Sequence, residues 1–183
     1  MSWWIWIVVV VLLVAAYFSW TVFKTSKSML AVQELEGVAV AYMQEGRYDE
    51  AEPLLRKALE IAASNMSEGN IAPVQINLSR ALAGQGQLDE AESHARQGLE
   101  ILKRTHGPTN TLVAYALKLL AEIRNAKGDV LGSQTYLQEA SKVLAQEETN
   151  PELGNSELRE ALKKSVEDAI SESDKESSPN KLN

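Results

Sequence analysis

The block Gly46-Arg47-Tyr48-Asp49-Glu50-Ala51-Glu52 returns forty residues later as Gly86-Gln87-Leu88-Asp89-Glu90-Ala91-Glu92. Ala58-Leu59-Glu60-Ile61 returns in step as Gly98-Leu99-Glu100-Ile101, and a degraded third copy starts at Gly128-Asp129-Val130. Self-similarity at a fixed period constrains a fold strongly, because every copy must form the same unit and bury the same face. Each unit reads as two helices, with an apolar-periodic stretch running up to the glycine and another starting just after it. The glycine suits a left-handed turn that a Cβ would oppose. Asp49 and Asp89 stand where a carboxylate caps exposed N–H groups and complements the helix dipole.

Small residues recur where paired helices must cross closely: Ala39, Ala51 and Ala58, then Ser79, Ala91 and Gly98, then Ala121, Ser133 and Ala140. Larger apolar residues fill between them, among them Leu35, Tyr42, Leu55, Leu78, Leu82, Leu117, Leu120 and Leu137. Alternation of this kind at a fixed period is what a close-packed helical solenoid needs. Residues 33 to 146 resemble tetratricopeptide repeats, and in particular the longer variety of kinesin light chains. The run from Gly46 to Ile61, the spacing of 40 and 42 residues and the linker His106-Gly107-Pro108 carry the resemblance. Two departures stand out. The third unit has Val130-Leu131-Gly132-Ser133 in place of the Asp-Glu-Ala pattern. Gly98 replaces the usual alanine, which is expected to loosen its helix by roughly 1 kcal/mol.

Ahead of the repeats lies an uncharged stretch from Trp3 to Phe23, apolar except for Ser19 and Thr21. As a helix it measures roughly 30 Å, the thickness of a bilayer's hydrocarbon core. It holds all four tryptophans and both phenylalanines, with Trp3, Trp4 and Trp6 at one end and Tyr17 and Trp20 near the other, as in an aromatic belt. The absence of a basic leader and of a small-residue cleavage site argues against a removed signal peptide. Lys24 and Lys27 follow the span and nothing basic precedes it, so the positive-inside rule puts the N-terminus outside and the repeats in the cytoplasm.

The expected fold is all-α: an N-terminal transmembrane helix, a short solenoid of three helix-turn-helix repeats and a C-terminal capping helix. Residues 1–27 form anchor and stalk; 28–147 hold repeats at about 32–64, 72–104 and 111–146; 148–172 form a linker and capping helix; 173–183 form a disordered tail. Leu158, Leu162, Val166, Ala169 and Ile170 supply the apolar stripe of that last helix.

Little here points to chemistry. With no cysteine the chain has no disulfide, thiolate nucleophile or cysteine-ligated metal. A net charge of −7 speaks against neutralising nucleic-acid phosphates. His94 and His106 lack the spacing of a helical zinc pair and read as surface residues. Glu45, Asp49, Glu50 and Glu52, echoed by Asp89, Glu90 and Glu92, read as solvated charge at helix starts. No cofactor, metal, small-molecule substrate or enzymatic role is expected.

Binding is what remains. The resemblance implies that first helices line a concave face, placing Gln33, Glu36, Val40 and Met43 there from the first unit. The second unit contributes Ile76, Asn77 and Arg80, and the third Tyr115, Lys118, Glu122 and Asn125. Asn77 matches an asparagine that, in kinesin-light-chain-like repeats, bonds the backbone of an extended peptide; a side-chain amide offers both donor and acceptor. The family's two-carboxylate clamp is disfavoured, since Glu36, Val40 and Leu119 stand where its lysine, asparagine and last basic residue belong. The chain thus reads as a membrane-anchored adaptor for a protein or peptide, in contact with lipid through residues 3–23. One rival is a permanent assembly subunit of a multisubunit membrane complex; the other is a periplasmic or lumenal anchored protein, the topology opposite to that which Lys24 and Lys27 indicate. The layout is similar to bacterial inner-membrane tetratricopeptide proteins, the favoured setting, and to mitochondrial outer-membrane import receptors.

Overall fold

Glycine turns and small crossing residues together set the architecture of the computed structural model, which describes residues 3–147 and 156–177. The described residues form seven helices: α1 Trp3–Gln44, α2 Tyr48–Asn65, α3 Glu68–Gly84, α4 Leu88–His106, α5 Thr111–Ala126, α6 Val130–Glu147 and α7 Ser156–Ser177. Gly46, Gly86 and Gly128 have φ of 76°, 78° and 80°. At each, the glycine N–H donates to the carbonyl three residues back and the next N–H to the carbonyl five back. Arg47 N to Tyr42 O, Gln87 N to Leu82 O and Asp129 N to Arg124 O each measure 2.9 Å. The same paired bonds close α1, α3 and α5, satisfying carbonyls that a helix end leaves orphaned.

All nine recurring small residues are buried. Around them pack fully enclosed side chains, including Leu55, Leu78, Leu82, Leu102, Leu117, Leu120 and Leu144. First helices touch in succession, α1 with α3, α3 with α5 and α5 with α7. The second helices α2, α4 and α6 make no comparable contacts with one another, so the stack curves toward its first-helix side. Helix α7 packs on α6 and α5 as α5 packs on α4 and α3. It buries Leu162 and Val166 where the first helix of another repeat would lie.

Several details depart from the sequence reading. Helix α1 runs without a break from the apolar stretch through the segment read as a stalk and into the first repeat. Residues 24–32 contain no Gly or Pro, so nothing there interrupts the hydrogen-bond ladder. Helix α7 continues to Ser177, five residues into the stretch read as a tail, and encloses Ser173. The rest of that tail and the linker at 148–155 lie outside the described residues. Asp49 and Asp89 do not cap: the cap positions are Arg47 and Gln87, neither of which makes a side-chain cap bond, and each aspartate is the second residue of its helix. Asp129 stands closer to its glycine and does cap, its Oδ1 accepting from Gly132 N at 2.9 Å. Gly98 is no defect, because a Cβ there would come within 2.7 Å of Ile76 Cδ1 and 3.3 Å of the Ala72 carbonyl. It marks the close crossing of α3 and α4.

The described side chains in the apolar part of α1 are almost all exposed. Its most apolar window has a mean hydropathy of 2.3 and is 0% buried, and the helix is long and apolar enough to cross a membrane by length and composition. Thr21, one of its two polar residues, donates to the Phe18 carbonyl at 2.8 Å.

Candidate functional site

Helix α3 presents Asn77 and Arg80, three residues apart on one face, and α5 brings Tyr115 opposite them. Arg80 Nη1 donates to Tyr115 Oη at 3.1 Å. These three residues, with Pro73, Ile76, Leu102, Leu112 and Leu158, surround a largely apolar cavity of about 390 Å³. Leu158 comes from α7 and is 41% exposed, so it borders the cavity instead of joining the core stripe. Sequence reasoning missed Leu112 and Leu158 as lining residues. Leu112 lies three residues before Tyr115, hence on its helical face, and that spacing was the available signal.

Asn77 faces α1 as well: its Nδ2 donates to Glu36 Oε1 at 2.9 Å. Burial pushes the Glu36 carboxyl above the usual carboxylate range, and the Asn77 bond only partly offsets this. The amide expected to read a peptide backbone therefore already spends one donor within the protein.

A second cavity, of about 320 Å³, opens between α5 and α7 and gathers Lys118, Glu122 and Asn125 with polar residues of α7. Lys118 pairs with Glu122 one helical turn on. The ten predicted residues thus fall mainly into two groups, although Arg80 and Glu122 also border a common third cavity. Asn77, Arg80 and Tyr115 meet in one cavity, and Lys118, Glu122 and Asn125 in the other. Gln33 is exposed and Val40 partly buried, and neither lines these cavities. Met43 is a correction: at 4% exposure it belongs to the core. It lies in the last turn of α1, where the chain folds back toward α2.

The acidic clusters also differ from expectation. Glu92, read as solvated, is 8% exposed. It accepts from Arg124 at 2.6 Å, Arg96 at 2.9 Å and Lys127 at 2.9 Å. Burial alone would raise its pKa, but Lys127, Arg96 and Arg124 outweigh that and hold the carboxylate at about 2. Glu52, its counterpart forty residues earlier, accepts from Arg56 at 2.7 Å and from Gln85 at 2.9 Å. In both repeats this carboxylate ties its own helix to the next unit. His94 is likewise half-buried, its Nδ1 2.5 Å from Gln75 Oε1, and burial lowers its pKa. His106 is exposed. Among the described residues no cluster of three or more His, Cys, Asp or Glu could hold a metal ion.

Comparison with known proteins gives the same architecture. A TPR-like protein from Chlorobium tepidum shares 23% identity over 81% of this chain and 98% of its own, with a TM-score of 0.62. The kinesin-light-chain TPR-like repeats of Podosopora anserina share 20% identity over 78% of this chain and 64% of theirs, with a TM-score of 0.64. The TPR domain of Arabidopsis FLU shares 19% over 67% and 99%, with a TM-score of 0.57. At these identities the likeness is one of fold. No functionally curated protein matches the sequence. Tetratricopeptide repeat models match residues 29–104 and 70–146, well over half of the chain. Three helix pairs closed by left-handed glycines, curved about a face of first helices, make this chain a member of the tetratricopeptide repeat family.

Proposed function

We propose that this chain is a non-catalytic adaptor, held at a membrane by residues 3–23, that binds a segment of a partner protein on its first-helix side. Tetratricopeptide domains generally mediate protein–protein interactions. The observation that carries the reading for this chain is the apolar cavity in which Asn77, Arg80 and Tyr115 converge. Its size suits one large apolar side chain. At its rim a guanidinium, a phenol and an amide stand ready for the polar groups of an extended segment. Arg80 has Tyr115 as its hydrogen-bond partner and no ion pair among the described residues, which leaves its charge available to a ligand.

Anchoring rests on the exposed apolar half of α1 and on Lys24 and Lys27 beyond it. Confinement to a bilayer raises the effective concentration for membrane-bound partners, so individual contacts can be weak. The lysines favour a cytoplasmic repeat domain, in a bacterial inner membrane on the layout already noted. Protease treatment of sealed vesicles tests that orientation: cleavage of the repeats from the cytoplasmic side is the expected result.

Crosslinking in intact membranes tests binding. Asn77→Ala, Arg80→Glu and Tyr115→Ala together are expected to abolish capture of the partner while circular dichroism remains that of wild type. A partner retained by the folded triple variant would overturn this groove as the binding surface.

A further inference from the structure

The cavity between α5 and α7 differs in chemistry from its apolar neighbour. Ala121, Leu137 and Ala169 form apolar sides, while Glu122, Asp168 and Glu172 bring three carboxylates to it. Glu122 has Lys118 as its partner, whereas Asp168 and Glu172 have no ion pair among the described residues. The cavity therefore holds more negative than positive charge. Ser173 also lines the cavity; it is 8% exposed and its Oγ has no hydrogen-bond partner among the described residues. A buried hydroxyl left without a partner is costly, and a site that accepts a ligand there relieves the cost.

Apolar sides suit the methylene stem of a long basic side chain, and a ring of carboxylates suits its charged head. A guanidinium fits better than an ammonium, because its planar fork can donate to carboxylates on two helices and to a hydroxyl together. We infer that this cavity is a receptor for an arginine side chain of the bound partner. The inference rests on the proposed peptide-binding role for its biological meaning, but the cavity's chemistry can be tested without it. Along α5 the apolar cavity begins at Leu112 and this one ends at Asn125. The midpoints of the two α5 linings lie roughly 12 Å apart at 1.5 Å per residue. An extended segment covers that span in about four residues. A partner of this kind carries an apolar side chain and an arginine at about that separation.

The test uses the full chain, isotope-labelled and in detergent micelles, titrated with N-acetyl-arginine amide and with its neutral isostere N-acetyl-citrulline amide. Saturable shifts of the Ser133, Ser165 and Ser173 amide signals are expected with the arginine probe, at least about fivefold tighter than with citrulline. Asp168→Asn combined with Glu172→Gln changes only exposed side chains and is expected to remove that preference; Ser173→Ala is expected to weaken it. Equal response to the two probes, no response to either, or a preference that survives the double variant overturns the inference. Failure of the adaptor reading would register elsewhere, in partner capture by the Asn77, Arg80 and Tyr115 variants, whose residues line the other cavity.

Discussion

The ring of Tyr48 lies against the backbone of Gly84, so closely that a Cβ at Gly84 would fall 2.5 Å from Tyr48 Cγ and Cδ1. Tyr48 opens the second helix of one repeat and Gly84 closes the first helix of the next. The pair therefore fixes how far apart two units sit. Gly84→Ala removes a poor helix former yet forces the ring aside, and the collision with Cγ cannot be relieved by rotating the ring end. A net loss of about 2 kcal/mol is expected in chemical denaturation, and a smaller loss when the same change is made in a Tyr48→Ala background. An alanine variant as stable as wild type would show that the two helices can separate freely.

Gly98 gives a subtler case. Ile76 Cδ1 and Cγ1 would stand 2.7 and 2.9 Å from an added Cβ, and these are the mobile end of the side chain. The Ala72 carbonyl at 3.3 Å is less forgiving. Helix propensity favours alanine by roughly 1 kcal/mol. Overpacking costs about 1–3 kcal/mol. Gly98→Ala is expected to destabilise slightly, and the loss to shrink in an Ile76→Val background. A double-mutant cycle measured by thermal melting decides it; strict additivity of the two changes would refute the contact.

Glu92 predicts a pH dependence with a definite sign. Its folded pKa of about 2 lies below the ordinary carboxylate value of 4.5. The unfolded chain therefore binds this proton first on acidification, and the stabilisation, complete above 4.5, is lost as pH falls toward 2. Glu92→Gln is expected to cost about 2 kcal/mol at neutral pH and to flatten the stability profile in that acid window. Parallel profiles for variant and wild type would remove Glu92 from the link between repeats.

The bond between Asn77 and Glu36 predicts a titration shift. Burial raises the Glu36 pKa and Asn77 lowers it part of the way back. Asn77→Ala is therefore expected to move the Glu36 midpoint further up, followed by the carboxyl carbon signal in NMR. An unmoved midpoint would mean that the amide does not face α1 in solution.

What the sequence made legible was whatever repeats. Gly46, Gly86 and Gly128 announce their turns because the φ they adopt excludes most other residues, and the small residues announce the crossings because bulk cannot enter there. Partnerships across units were hidden. Glu92 looks like any acidic residue at a helix start until Arg124 and Lys127, more than thirty positions on, close over it. Tyr48 and Gly84 are both ordinary members of the repeat, and only the stacking angle makes them a pair. Of the candidate site, Asn77, Arg80 and Tyr115 were named through the resemblance to the repeat family, while Pro73 and Leu112 on the same helices were not. The contributions of α7 were not, because it carries no copy of the repeat and its position follows from packing alone. Met43 failed for a related reason: it lies in the last turn of α1, where the chain reverses into α2 and the side chain is enclosed.

The continuity of α1 gives the molecule a fixed azimuth. Since no joint separates Phe23 from Gln33, the direction in which the cavities open is set by helical phase relative to the apolar segment. One residue inserted among 24–28 would turn the whole solenoid by about 100° and lift it about 1.5 Å, with no change to any residue of the repeats. The number of residues between the two halves of this helix is thus itself a heritable parameter, as consequential for what the groove meets as the side chains that line it.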